Sequence, residues 1–415
     1  MASSLQNLLE RARPFLRGEL ESIDENLPRL VRVLQSVSAG ECWHKHGSFL
    51  HHLLDVYRIL SLWKAPHAVS LCGLFHSAYS NSYVNLAIFD PSTGREVVRE
   101  HVGQEAERLI HLLCVVPRQP LIHDDLVFHY TDDELVQHLI ESEVSLSNAK
   151  EKGMFDMGER WRKKLQDLVP AEGVKVKHIR TGEEVRVSRR VVAVFLMMTM
   201  ADFCDQLFGF QDELFDNANG RLEFSGNNFG ALWPGDGKPG LWLSSISRMG
   251  AVYSLIAREE EIFIQEKRSA GVGVVDLERN EDIELVIPPV FGKCRKVLDA
   301  GDQIVARDLY WEGVCEKGKG LGKVEELLVG SISKNPFVGE PYVVLSQVYL
   351  TEGRFEEAEK MAQKGLTLLL EWGSPWDKRT SWEGWVAWSR VLLMKAKEKS
   401  WPHTSWGILN LGLVK

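Results

Sequence analysis

No two cysteines of this chain form a CxxC pair; the six thiols, Cys42, Cys72, Cys114, Cys204, Cys294 and Cys315, are scattered over its length. That spacing excludes a zinc ribbon and a disulfide framework, and reads as buried thiols in a reducing compartment. A block of Lys and Arg is also missing, and the net charge is -9, so there is no electrostatic footprint for nucleic acid or an anionic membrane surface. No apolar run reaches the length that spans a bilayer, and the opening MASSLQNLLERARPFLRGELE lacks the apolar stretch of a secretory signal. Glu10, Glu19 and Glu21 argue against a transit peptide. The expectation is a cytoplasmic protein with no nucleic-acid or membrane partner. A local basic pocket for a small anionic ligand is still compatible with the charge.

What is present is an ordinary globular composition, 44% hydrophobic and 26% charged, over 415 residues. That length exceeds what one core usually organises and predicts two domains. The first half is built around residues 191–205, VVAVFLMMTMADFCD. Eleven residues pass with only Thr199 polar, so a helix here is apolar on every face and must be surrounded. Asp202 then needs a partner, because an unpaired carboxylate in a low-dielectric site is very costly. The nearest supply is the upstream histidines: His44, His46, His51, His52 and His76.

In chain order, residues 3–36 carry helical periodicity, with Pro14 and Pro28 expected to divide them. Gly47 and Ser48 mark a helix start, after which Leu53, Val56, Ile59, Leu60 and Trp63 form a buried stripe. His52 shares that inward face, whereas His51 points about 100° away. Asp55, Tyr57 and Arg58 read as a solvated or capping face, and His44 and His51 as surface. Pro66 opens the next helix, HAVSLCGLFHSAY, which is apolar until His76. REVVREHVGQEAERLIHLLCVV is an amphipathic pair divided at Gly103. Residues 117–130 are irregular, so the doublet His123–Asp124 is set aside as turn chemistry. Thr131 with Glu134 is a capping box opening a helix to about residue 147. Residues 173–187 alternate with period two around Thr181 and Gly182, a small β-hairpin, and Ser188 caps the buried helix.

Beyond Gln211 the Gly- and Asn-rich stretch 213–240 is a linker or a lid. Helices resume from Leu241. In PYVVLSQVYLTEGRFEEAEKMAQKGL, the residues Tyr342, Leu345, Ser346, Tyr349, Gly353, Phe355, Ala358 and Gly365 fall at the spacings of a tetratricopeptide repeat. The Trp-rich SWEGWVAWSRVLLMKA suits a capping helix.

HHLLDVYRILSLW, SLCGLFHSAYSN, REHVGQEAERLIHLLCVV and MMTMADFCDQL resemble, in order, the motifs of the HD-domain superfamily. The nearest branch is the hydrolase domain of RelA/SpoT-type alarmone enzymes, and the match covers roughly residues 40–212. An HD-like domain joined to a tetratricopeptide-type tail is also similar to a plant protein family of unassigned activity. The resemblance implies that His52, His76 and Asp202 ligate metal. Two departures stand out: Ser77 replaces the Asp of the family's His-Asp doublet, and Ser80 and Asn81 replace its Glu-Asp pair. Neither serine nor asparagine is a general base at neutral pH.

The expected fold is therefore all-α. N-terminal helices (1–40) precede an HD-like domain with a small β-hairpin (41–212), the linker or lid (213–240) and a short tetratricopeptide-like helical array (241–415). One divalent metal, Mn, Fe or Zn, is expected on His46, His52, His76 and Asp202, with Tyr79 and Asn81 facing a small-molecule substrate. Three functions follow. The first is a mononuclear metal-dependent hydrolase of a phosphorylated or nucleotide-like molecule. The second is a catalytically degenerate HD pocket fused to a repeat that binds a protein partner. The third is an iron-dependent oxygenase. Without metal, the same His and Asp residues form a hydrogen-bonded polar core.

Overall fold

The computed structural model describes residues 2–44, 47–82, 87–90, 94–206, 215–216, 223–224, 244–271, 283–291, 298–315, 318, 320–409 and 411. Among them the chain is mainly helical, with only two-stranded β-pairs. It divides into two compact units that are each discontinuous in sequence: 28–203 with 245–298, and 1–27 with 204–244 and 299–415. These divisions do not coincide with the boundaries expected at 40, 212 and 240. The expected linker or lid lies outside the described residues, apart from the pair Phe215–Asp216 and Glu223–Phe224.

In the unit of residues 28–203 and 245–298, helix Phe49–Leu62 packs on helix His67–Leu74, which packs in turn on Gln104–Val115. Ser48 caps the first of these by accepting from His51 N. Gly73 sets the closest approach of the first two helices: a Cβ there would run into Leu60 Cδ1 and lie 3.2 Å from Val56 Cγ1. Tyr57 and Arg58 are buried, 2% and 6% exposed, which corrects their reading as a solvated face. The helix is enclosed well beyond its Leu/Val/Ile stripe, and Arg58 pairs there with Asp55 at 2.5 Å.

The expected capping box is present. Thr131 Oγ1 accepts from Glu134 N while the Glu134 carboxylate accepts from Thr131 N, and the helix runs Asp132–Lys152 before Gly153 ends it at φ 60°. The hairpin pairs Val174–Lys177 with Glu184–Val187, and Gly182 takes φ 72° in its turn.

Helix Arg189–Gln206 is buried along its length up to Asp205. Its first residues explain how two arginines begin so apolar a segment. Arg189 and Arg190 both pair with Glu260, at 3.3 and 2.9 Å, and Arg162 forms a two-pronged pair with Glu259 at 2.7 and 3.1 Å. Both glutamates sit on helix Ser244–Ser269. All five side chains are at most 5% exposed, so each charge is held by its partner in place of water.

In the other unit, helices Ala300–Cys315 and Leu321–Lys334 pack together, as do Glu340–Thr351 and Phe355–Trp372, with Trp382–Lys397 closing the series. Gly339 and Gly365 make the second pair possible. A Cβ on either would lie 2.8 to 2.9 Å from the other's carbonyl oxygen. Helix Ala2–Arg17 also packs on Phe355–Trp372. Pro14 lies inside Ala2–Arg17, a correction to the break expected there. It falls in the last turn, where the missing N–H removes one bond, and Gly18 at φ 65° ends the helix instead.

Candidate metal centre

Three helices deliver one side chain each to a single point: His52 from Phe49–Leu62, Asp202 from Arg189–Gln206, and His76 from the turn just after His67–Leu74. They form the group able to hold a metal ion found among the described residues. His52 Nε2 lies 3.3 Å from His76 Nε2 and 3.2 Å from Asp202 Oδ1, and His76 Nε2 lies 3.8 Å from the same oxygen. All three residues are at most 6% exposed. Ligands about 2.0 to 2.2 Å from a metal at tetrahedral to octahedral angles stand roughly 2.8 to 3.6 Å apart, so two sides of this triangle match one face of a coordination shell, and the third, His76 Nε2 to Asp202 Oδ1 at 3.8 Å, is somewhat longer.

Proton placement favours the same use. His76 Nδ1 sits 2.8 Å from the Gly73 carbonyl oxygen, which can only accept, so Nδ1 carries the hydrogen and the Nε2 lone pair points into the triangle. Burial lowers the His76 pKa to about 4, with Asp202 partly opposing, so the imidazole is neutral at pH 7. Burial would raise Asp202, but the His52 hydrogen bond and the neighbouring histidine charges prevail and hold it well below the usual carboxylate range. A neutral His76 imidazole and an ionised Asp202 carboxylate are forms that bind a metal.

The expected His46 falls outside the described residues. Tyr79 is buried, and its hydroxyl donates to Glu107 at 3.1 Å, within a cluster where Arg95 grips the same carboxylate at 2.7 and 2.9 Å. Asn81 is buried and donates from Nδ2 to Ser77 Oγ at 3.4 Å. Ser77 and Asn81 thus meet each other.

Residues 33–118 match the family model of a domain of unknown function, DUF6817. No curated protein and no solved structure matches the chain. The matched segment takes in His52 and His76 and stops at Arg118, well before Asp202. The three-residue group therefore joins a matched segment to an unmatched one.

Sequence reasoning passed over Arg118, read His44 as surface and set His123 aside as turn chemistry. His44 lies in the short pair Trp43–His44 with Gly47–Ser48, and its ring is 4.4 Å from that of His52. That pair folds the chain back before the helix begins, which helical periodicity does not reveal. Arg118 is 2% exposed, and its charge is felt at His76, Asp202 and His123. His123 lies on a π-helical turn, Gln119–Asp124, and stacks on Phe203, centroids 6.1 Å apart and planes 13° apart. It is not a member of the metal-ligand group. The signal for both lay in VVPRQPLIHDD, where polar residues interrupt an apolar run.

Gly73 links local structure to site geometry. Gly73→Ala is expected to separate the His52 and His76 helices by several tenths of an ångström and weaken metal binding at least tenfold, measured by equilibrium dialysis. Unchanged affinity in a folded variant would show that the helix spacing does not set the site.

Proposed function

We propose that the chain is a mononuclear metal-dependent enzyme, a divergent HD-like hydrolase of a phosphorylated or nucleotide-like small molecule. The observation that carries this reading is the buried triangle of two imidazole nitrogens and a carboxylate oxygen. His52, His76 and Asp202 hold the ion and leave its remaining positions to water and substrate. A divalent ion there supplies Lewis-acid polarisation of a phosphoryl oxygen and a lowered pKa for water. The chain's own contribution is to fix the tautomer of His76 through Gly73 and to keep Asp202 ionised. Ser77 and Asn81 hold no proton-transfer role at neutral pH, so water activation rests on the ion.

The hydrogen bond between Ser77 and Asn81 favours a second reading, a pocket without catalysis joined to a tetratricopeptide-like interaction region. Elemental analysis separates the two. About one equivalent of Mn, Fe or Zn is expected in protein purified without chelators, and below about a tenth of that in Asp202→Ala and His76→Ala. Wild-type protein free of metal, with a melting temperature indifferent to added Mn, Fe or Zn, would sink the enzyme reading. The histidines and Asp202 would then share a proton as a polar core.

A further inference from the structure

The tip of the hairpin formed by Val174–Lys177 and Glu184–Val187 is fastened to two other parts of its unit. Ile179 N donates to the Val115 carbonyl oxygen at the end of helix Gln104–Val115, and Arg180 Nη1 donates to the Tyr79 carbonyl oxygen, both at 2.8 Å. Inside the tip, the backbone N–H groups of Arg180 and Thr181 both donate to His178 Nδ1, at 3.1 Å. An amide N–H can only donate, so Nδ1 holds a lone pair and the ring hydrogen sits on Nε2. Three side chains gather around this fastening. The His178 ring centre lies 6.4 Å from that of His111, on helix Gln104–Val115, and the His111 ring lies 6.2 Å from that of Tyr79, whose carbonyl holds Arg180.

All three keep donors unmatched. Among the described residues, His178 Nε2 and both nitrogens of His111 have no hydrogen-bond partner, and Arg180 has no ion-pair partner. The neighbouring carboxylates are engaged elsewhere. Glu107 is gripped by Arg95 at 2.7 and 2.9 Å and by the Tyr79 hydroxyl, Glu96 by Arg99, Glu184 by Lys175, and Glu183 accepts from Thr181 Oγ1 at 3.1 Å. One guanidinium and two imidazoles are therefore left over, on a hairpin tip and a helix that two main-chain bonds hold in register. Burial first, then the Arg95 charge, lower the His111 pKa to about 4 against the pull of Glu107, with His178 and Arg180 adding to the effect. The imidazole is thus neutral at pH 7 and stands among cations.

We propose that the hairpin tip is a binding site for a phosphoryl group, that of a small molecule or free phosphate, with Arg180 facing its charge and His178 and His111 each donating to an oxygen. With bonds of about 2.7 to 2.9 Å, two oxygens of one tetrahedral anion reach donors roughly 4 to 8 Å apart, and the two rings, 6.4 Å between centres, suit that span. A third oxygen is then free for Arg180, whereas a carboxylate has only two and leaves one donor unmet. The site lies outside the metal-ligand group and does not depend on it.

The test is isothermal titration calorimetry of the full-length chain with inorganic phosphate, methyl phosphate and acetate, in buffer freed of metal by chelating resin and at about 0.15 M NaCl, which screens a loose charge patch. Phosphate or methyl phosphate is expected to bind with a Kd of about 1 mM or tighter. Tighter binding of methyl phosphate assigns the site to a phosphorylated molecule, and equal or weaker binding assigns it to the free anion. Arg180→Met is expected to weaken the better ligand about tenfold or more, and Arg180→Lys, which keeps the charge, by less than about threefold. His178→Asn retains an oxygen for the two backbone N–H groups but loses the ring donor, and is expected to cost about threefold or more. His111→Phe keeps a ring against Tyr79 and removes both nitrogens, with an equal loss expected. It sits on the helix and carries the test should the hairpin variants fail to fold, as judged by circular dichroism. A Kd weaker than about 1 mM for both phosphates, or equal affinity in wild type, Arg180→Met and His111→Phe, overturns the site. Acetate binding as tightly as either phosphate overturns the phosphoryl assignment. Binding that appears only with added Mn(II) and vanishes in Asp202→Ala places the anion on the metal centre, which overturns the tip site and supports the metal reading.

Discussion

Arg162→Met is expected to destabilise the unit of residues 28–203 and 245–298 by about 3 to 5 kcal/mol, the usual cost of stranding one member of a buried ion pair. Arg162 and Glu259 are 1% and 2% exposed and joined by two hydrogen bonds. Burial already raises the Glu259 pKa against the opposing pull of Arg162. With Arg162 gone, Glu259 must either remain charged without its main partner or take up a proton. The loss is therefore expected to grow as pH rises, where that proton is harder to acquire. Urea unfolding at pH 6 and pH 8 gives the comparison, and the double variant Arg162→Met, Glu259→Met should recover part of the stability because the carboxylate stranded by the single variant is gone, while Arg189 keeps Glu260. A single-variant loss below about 1 kcal/mol would show that water reaches the pair.

Glu340→Gln is expected to flatten the pH dependence of the other unit between pH 5 and 8. Glu340 is fully buried; its Oε1 accepts from the backbone N–H of Trp376 and Asp377, at 2.5 and 3.0 Å, and Oε2 has no partner among the described residues. Burial first, and the nearby Asp377 charge, raise its pKa from the ordinary 4.5 to about 7, against the opposing backbone hydrogen bonds. Between those two values the folded state keeps a proton that the unfolded chain has released, so stability falls as pH rises. This contribution is complete below pH 4.5 and lost above about 7, a span worth about 3 kcal/mol at roughly 1.4 kcal/mol per pH unit. Glutamine retains a carbonyl oxygen for the two N–H groups and does not titrate. The difference between wild-type and variant melting temperatures should therefore move in the variant's favour from pH 5 to about 7 and level off by pH 8. Parallel melting profiles across that range would place the titration elsewhere.

Local chemistry was legible where it is decided by neighbours in sequence. The Thr131–Glu134 capping box, the Ser188 cap, the hairpin around Thr181 and Gly182 and the opposite fates of His51 and His52 all follow from spacing. The residue types of His52, His76 and Asp202 were also readable, because a carboxylate closing a wholly apolar helix demands company. Their convergence was not: residue types do not give distances, and Gly73 sets the spacing of the first two helices without leaving a periodic signal. The roles of Arg189 and Arg190 were not legible, since their partner Glu260 lies some seventy residues on, beyond any helical period. Pro14 shows the opposite limit. A strong local breaker yielded to an amphipathic face that continues through it and to Gly18, which ends the helix more sharply.

Because helix Ser244–Ser269 carries the carboxylates for Arg162, Arg189 and Arg190, a nascent chain emerging from the ribosome presents the three guanidiniums long before their counter-charges exist. The unit that contains the candidate metal ligands therefore cannot seal its interior until synthesis has passed Glu260, even though His52, His76 and Asp202 have all emerged earlier. Its partner unit waits longer still, since helix Ala2–Arg17 packs on a helix ending at Trp372. Expression fragments cut near residue 240 would strand three cations and the candidate metal centre in an unfinished fold, whereas a boundary that respects residues 28–203 and 245–298 keeps the charges with their partners.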